Sequence, residues 1–300
     1  MFSGLTRRMA MRRAAQAAPE APVLDLSGPR LRRAFENLVQ SAEATGGVER
    51  YVTALSLKAS LFEELLGKGK VGELTETEVL DLAAFIAPVR RRIGDWLGEN
   101  NFDFLRLQLI KLLEGWSDTT TTDARIATFV NAFPADKAHR WARDLAAEVL
   151  HFTAPDRYPL MTRWIWDKEV GTGALREIWY GEDVDAAIIE VENSLLTFST
   201  LRIELEGFLA EQGVFRDLPF YVDVLLSHIY SGYINDRGGQ YLRSDFTTNS
   251  DPMFHTRRML GLDAVDTKTG RTRLRLIDGK AHVIGNDRQI SGPEVSDAHS

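Results

Sequence analysis

Three ionisable side chains, Asp144, Glu148 and His151, stand at i, i+4 and i+7, a spacing that places them along one face of a helix. Glu148-x-x-His151 is also the spacing that carboxylate-bridged di-metal bundles use, although such centres need a second pair and further carboxylates. No second Glu-x-x-His occurs in the chain, so no metal site is expected here. His151 reads instead as a helix-end residue making one structural hydrogen bond. Further on, Pro155-Asp-Arg-Tyr-Pro159 forms a rigid turn. Arg163, Trp164, Trp166 and Asp167 then follow on a segment that reads as helical, with Arg163 and Asp167 spaced four apart for pairing. Four of the six tryptophans fall between Trp141 and Trp179. Large rings beside an arginine suit the stacking of a planar ligand with capture of an anion, or a packed junction between helical layers. Packing is the expectation.

The second candidate is Asn235-Asp-Arg-Gly-Gly-Gln-Tyr-Leu-Arg243. Gly238 and Gly239 free backbone N–H groups, and Arg237 and Arg243 add fixed positive charge, a combination able to cradle a phosphate or carboxylate. Two glycines behind an apolar helix are also an ordinary stop signal. His255-Thr-Arg-Arg258 places two more arginines on a short helix after Asp251-Pro252. No P-loop, dinucleotide fingerprint or nucleophile elbow is present, and the pattern calls for no cofactor.

Within 133–167, a helix ending in an apolar residue, a proline-containing loop, Tyr158-Pro159 and the acid Asp167 resemble in layout the catalytic region of helix-hairpin-helix DNA glycosylases. The resemblance implies a glycine-rich phosphate-gripping hairpin, but the corresponding stretch, Phe133-Pro-Ala-Asp-Lys-Ala138, has no glycine. No catalytic role is carried over to Asp167.

Composition narrows the classes further. With 44% hydrophobic and 26% charged residues, 300 residues suit a globular protein with a real core. The absence of cysteine excludes disulfides, thiolate metal sites and thiol nucleophiles. A net charge of −7 disfavours a nucleic-acid partner. No apolar run is long enough to span a bilayer, and a cytoplasmic location is the default expectation. Arg7, Arg8, Arg12 and Arg13 precede the first acid, Glu20; the stretch reads as a disordered basic arm, with an organelle presequence as the alternative. No apolar h-region follows these arginines, which argues against a secretory signal.

The elements that must position these residues read mainly as helix. Ser27-Gly-Pro29 starts the first helix and Gly46-Gly47 ends it; the second runs from Val48 to Leu66 and stops in Gly67-Lys-Gly69. Thr75-Glu-Thr-Glu78 has the form of a capping box, and Pro88 divides the helix it opens. Helices follow over 102–113 and 124–133, and Pro134 opens one bearing Trp141, Leu145, Val149 and Phe152. Asp183 is read as the cap of a long helix reaching Gly213, and 219–234 forms a very apolar one. Alternation over 271–276 and the Asp278-Gly279 turn predict a C-terminal hairpin.

The fold expected is thus a mainly α array of about nine or ten helices with a small C-terminal β-hairpin or meander. The expected organisation is a basic arm over 1–26, helical subdomains over 27–117 and 118–262, a hairpin over 263–284 and a tail over 285–300. The functional expectation is a helical interaction or accessory protein with a protein partner. The alternatives are an enzyme or binding protein whose aromatic-walled pocket holds an anionic small molecule, and a nucleic-acid-binding protein.

Overall fold

The structure, a computed structural model, describes residues 20–181, 183, 188–238 and 251–264, of 235–238 the backbone alone. The expected hairpin and tail, beyond Ala264, and most of the basic arm lie outside the described residues. Among the described residues the chain is mainly helical, with eleven α-helices and no strand. They are α1 (Gly28–Glu43), α2 (Val48–Leu66), α3 (Glu76–Ala84), α4 (Ile93–Leu97), α5 (Phe102–Leu113), α6 (Thr122–Asn131), α7 (Trp141–Thr153), α8 (Ala174–Glu177), α9 (Leu195–Glu211), α10 (Leu218–Gly238) and α11 (Phe254–Met259). Two isolated antiparallel bridges join Leu26 to Trp179 and Asp167 to Thr172.

Local chemistry sets most of the boundaries. Thr75 and Glu78 form the reciprocal capping box at the start of α3: the Glu78 amide donates to the Thr75 hydroxyl at 3.3 Å, and the Thr75 amide donates to the Glu78 carboxylate at 2.8 Å. The helix divided at Pro88 appears as α3 and the short α4. Lys68 and Gly69, both in the left-handed region, turn the chain out of α2 into a 3₁₀ segment, Gly67–Glu73.

Three expected helical stretches take other forms. Over 134–140 the carboxylate of Asp136 accepts the amides of Ala138 and His139 at 2.8 and 3.0 Å. That local turn competes with a helix, so α7 begins only at Trp141. Residues 161–170 form turns rather than a helix, because the chain doubles back on itself. The carbonyls of Trp164 and Ile165 accept the amides of Ala174 and Leu175 at 2.9 and 3.0 Å instead of closing helical bonds. Gly173, at φ 137°, permits this reversal; a Cβ there would stand 2.4 Å from the Ile165 carbonyl oxygen. Finally, α9 is capped by Ser194, whose hydroxyl accepts the Thr197 amide at 3.3 Å, and not by Asp183.

The buried apolar residues form one core, from Leu31 in α1 to Ala264 behind α11. Within it α2 packs on α7 and α10, while α5 packs on α6. Phe62 of α2 meets Phe152 of α7 at a ring separation of 5.5 Å. Trp96, Phe104, Phe129, Phe133 and Trp141 form a second aromatic cluster with ring separations from 5.2 to 6.0 Å.

Residues 251–264 close this core from outside. The two guanidinium nitrogens of Arg90 donate to the two carboxylate oxygens of Asp263 at 2.8 and 2.9 Å. Gly261, at φ 73°, rests against the Phe85 backbone so closely that a Cβ would fall 1.7 Å from the carbonyl oxygen. Gly261→Ala is therefore expected to destabilise the fold by at least ~2 kcal/mol in urea unfolding. Gly207→Ala, at an exposed position inside α9 with open space around its Cβ, is expected to stabilise it by about 0.5–1 kcal/mol.

His228 of α10 joins the same closure to α1. Its Nε2 lies 2.7 Å from the Asn37 side-chain oxygen, so Nε2–H donates there, and Nδ1 accepts the Thr256 hydroxyl at 3.1 Å. Burial without a charged partner lowers the imidazole pKa from 6.5 to about 4. The unfolded chain then takes up a proton before the folded one does. Stability from this group is complete above pH 6.5 and falls as pH drops towards 4, by about 3 kcal/mol in all. Unfolding free energy measured across that window is expected to flatten in His228→Gln.

Candidate functional site

The line of ionisable residues on α7 faces the core, and each takes an opposite charge from a different part of the chain. Lys58 of α2 donates to the Glu148 carboxylate at 2.6 Å, with both side chains buried. His151 Nε2 lies 2.8 Å from Asp223 of α10, and Arg163 Nη2 donates to Asp144 at 2.6 Å. His151 therefore makes more than the single hydrogen bond expected. Its Nδ1 lies 2.7 Å from the Tyr158 carbonyl, which can only accept. Both ring nitrogens thus have a buried oxygen partner, the Tyr158 carbonyl on one side and the Asp223 carboxylate on the other.

Lys58 is the most enclosed of these charges. Its three N–H bonds meet three acceptors: Glu148, the Phe85 carbonyl at 2.9 Å and the Leu260 carbonyl at 3.0 Å. The ammonium also stands 4.0 Å from the ring centre of Phe152. Burial pulls the Lys58 pKa down and pushes that of Glu148 up, and in both cases the partner's charge opposes it. Asp223 adds a second negative field at Lys58, so Lys58, Glu148, His151 and Asp223 form one buried cluster of ionisable groups.

Sequence reasoning singled out neither Lys58 nor Asp223, although a signal was there. Lys58 occupies the apolar stripe of α2 between Tyr51, Leu55, Phe62 and Leu65, and Asp223 follows Phe220 on a helix of mostly apolar residues. A charge at such a position is either exposed by a turn of the helix or buried with a partner.

The other expected site residues disperse. Trp166 is buried and donates its indole N–H to the Val191 carbonyl at 3.1 Å. Trp164 lies 6.3 Å from the Tyr230 ring. Arg163 pairs with Asp144 and not with Asp167: burial opposes its charge most strongly, and the hydrogen bond and charge of Asp144, together with the charge of Asp167, more than offset it, so that its pKa is raised. Asp167 accepts the Glu169 amide at 3.2 Å within the bridge to Thr172. Arg237 and Gly238 fall in the last turn of α10, where only the backbone is described; Gly239 and Arg243 lie outside the described residues. Arg257 of the short α11 pairs with Asp251.

Two features face outward. Phe104 and Leu107 stand 37% and 48% exposed on α5, the opposite side of which is buried. Beyond the end of α5, a cleft of about 500 Å³ opens over Leu66, Val71 and Leu113, with Trp116 at its wall.

Removing one member of the buried pair leaves the other charge without its counterion. Glu148→Leu is thus expected to cost ~3–5 kcal/mol in urea unfolding. Lys58→Met/Glu148→Leu is expected to be more stable than Glu148→Leu alone, since no unpaired charge remains in the core.

No family model matches the chain, and no curated protein or solved structure matches it.

Proposed function

We propose that the protein is a helical accessory protein that engages a partner protein through the outer face of α5. The observation that carries this reading is the distribution of apolar residues on that helix. Leu105, Leu109, Leu112 and Leu113 are buried, and Phe104 and Leu107 are apolar as well but exposed. The outer side of α5 thus presents two apolar side chains to solvent, with Asp103, Arg106 and Lys111 around them, the make-up of an apolar contact spot with a charged rim. Phe104 is moreover held in place, with ring separations of 6.0 Å to Trp96 and 5.6 Å to Phe133. A fixed aromatic side chain loses little conformational freedom on docking, which is the character of an interface anchor.

Lys58, Glu148, His151 and Asp223 each hydrogen-bond within the protein and position its helices.

Leu107→Glu replaces an exposed side chain and leaves the ring stack intact, so the variant is expected to unfold within about 0.5 kcal/mol of the parent. Crosslinking in source-cell extract, followed by purification, compares it with the parent and with Ile203→Glu, an exposed apolar position on α9. A partner retained by the parent and by Ile203→Glu but lost by Leu107→Glu is the expected result. Recovery of the same proteins by all three would remove α5 as the interface.

A further inference from the structure

We infer that the cleft at the end of α5 is a binding site for a small amphiphilic amine, an apolar body carrying a protonated amino head. This inference is independent of the interface on the outer face of α5. The cleft lies between the C-terminal turn of α2, the glycine-rich 3₁₀ segment Gly67–Glu73 and the end of α5. Its volume of about 500 Å³ falls in the range of small-molecule sites. Leu66, Val71 and Leu113 give it a buried apolar floor, and Trp116, 41% exposed, gives it an aromatic wall.

The polar groups in this lining are chiefly acceptors. Glu63 and Glu114 both face the cleft, exposed, and neither carboxylate has a hydrogen bond or ion pair among the described residues. Thr153, half-buried, also lines the cleft, although its hydroxyl oxygen is covered. The one cationic lining residue is Lys68, whose left-handed backbone places it in the turn. Arg157 lies nearby, but it donates to the Ser117 carbonyl and sits 5.2 Å from the Trp116 ring centre. Two carboxylates without an ion pair beside an apolar floor match a ligand with a positively charged N–H head and a hydrocarbon body. A neutral head gains no charge attraction from them, and a carboxylate head would meet two like charges.

The wall is fixed from behind. The Tyr158 hydroxyl donates to the Trp116 carbonyl and accepts from Arg125 at 2.9 Å, so the backbone that carries the indole is anchored beside the cleft.

The test uses three ligands with one body and three heads: n-octylamine, n-octanol and n-octanoate, titrated calorimetrically into the full chain at neutral pH. The amine is expected to bind roughly tenfold tighter than the alcohol, and the octanoate weakest. In Glu63→Gln/Glu114→Gln the amine and alcohol are expected to converge. Both positions are exposed, so circular dichroism should show an unchanged fold. Equal binding of all three heads would reduce the cleft to an apolar crevice and overturn the inference. Octanoate binding best, through Lys68, would overturn it too, as would no binding by any of them. Persistence of the amine preference in the double variant would place the amine elsewhere and overturn the assignment to this cleft.

Discussion

The fold depends on a lysine. An ammonium has three donors and no acceptor, and in a core it is tolerable only if every donor is met. Lys58 meets Phe85, Glu148 and Leu260, residues that the chain brings together from separations of 27, 90 and 202 positions. Those three acceptors fix how the turn after α3, the middle of α7 and the segment behind α11 approach α2. A methionine there would fill similar space and impose no such condition. Hydrophobic burial draws these elements together. The ammonium selects one arrangement among the many that would bury comparable area.

The same reasoning extends along α7. Asp144, Glu148 and His151 each bind a charge from elsewhere, so that one helix face orders the loop at Arg163, α2 and α10 around it. Charges at this spacing resemble a functional motif when read in isolation. In the folded chain their partners define their role, and those partners are held by helices distant in sequence.

This is also why some of the structure was legible in the sequence and some was not. The bounds of α2 and α5 follow from contiguous signals: apolar periodicity, Gly47 ahead of Val48, and the glycines at 67, 69 and 115. The α3 cap was legible for the same reason, since Thr75 and Glu78 satisfy each other within one turn. Apolar spacing misled between 161 and 170. Two tryptophans and an isoleucine suggest a helix there, but the fold uses the carbonyls of Trp164 and Ile165 to hold the returning strand of chain at Ala174 and Leu175. The partners of the α7 charges were beyond reach as well, because a spacing pattern carries no information about a lysine ninety residues away. The cleft was invisible for a related reason. Its floor comes from Leu66, Val71 and Leu113, and each of those reads in sequence as an ordinary core leucine or valine.

The interior and the cleft are nonetheless one construction. His151, paired with Asp223, also binds the Tyr158 carbonyl, and the hydroxyl of that tyrosine binds the carbonyl of Trp116. A continuous run of hydrogen bonds thus leads from the buried charge cluster to the aromatic wall at the surface. Such a run sets position; it does not by itself make a pathway of energetic coupling. Position is what a wall of the proposed site needs, since a loop backbone already held in place gives up little entropy when a ligand arrives. The polar groups of the core therefore matter to the surface in a specific way. They hold the backbone of Trp116, next to the left-handed Gly115, in place at the edge of the cleft.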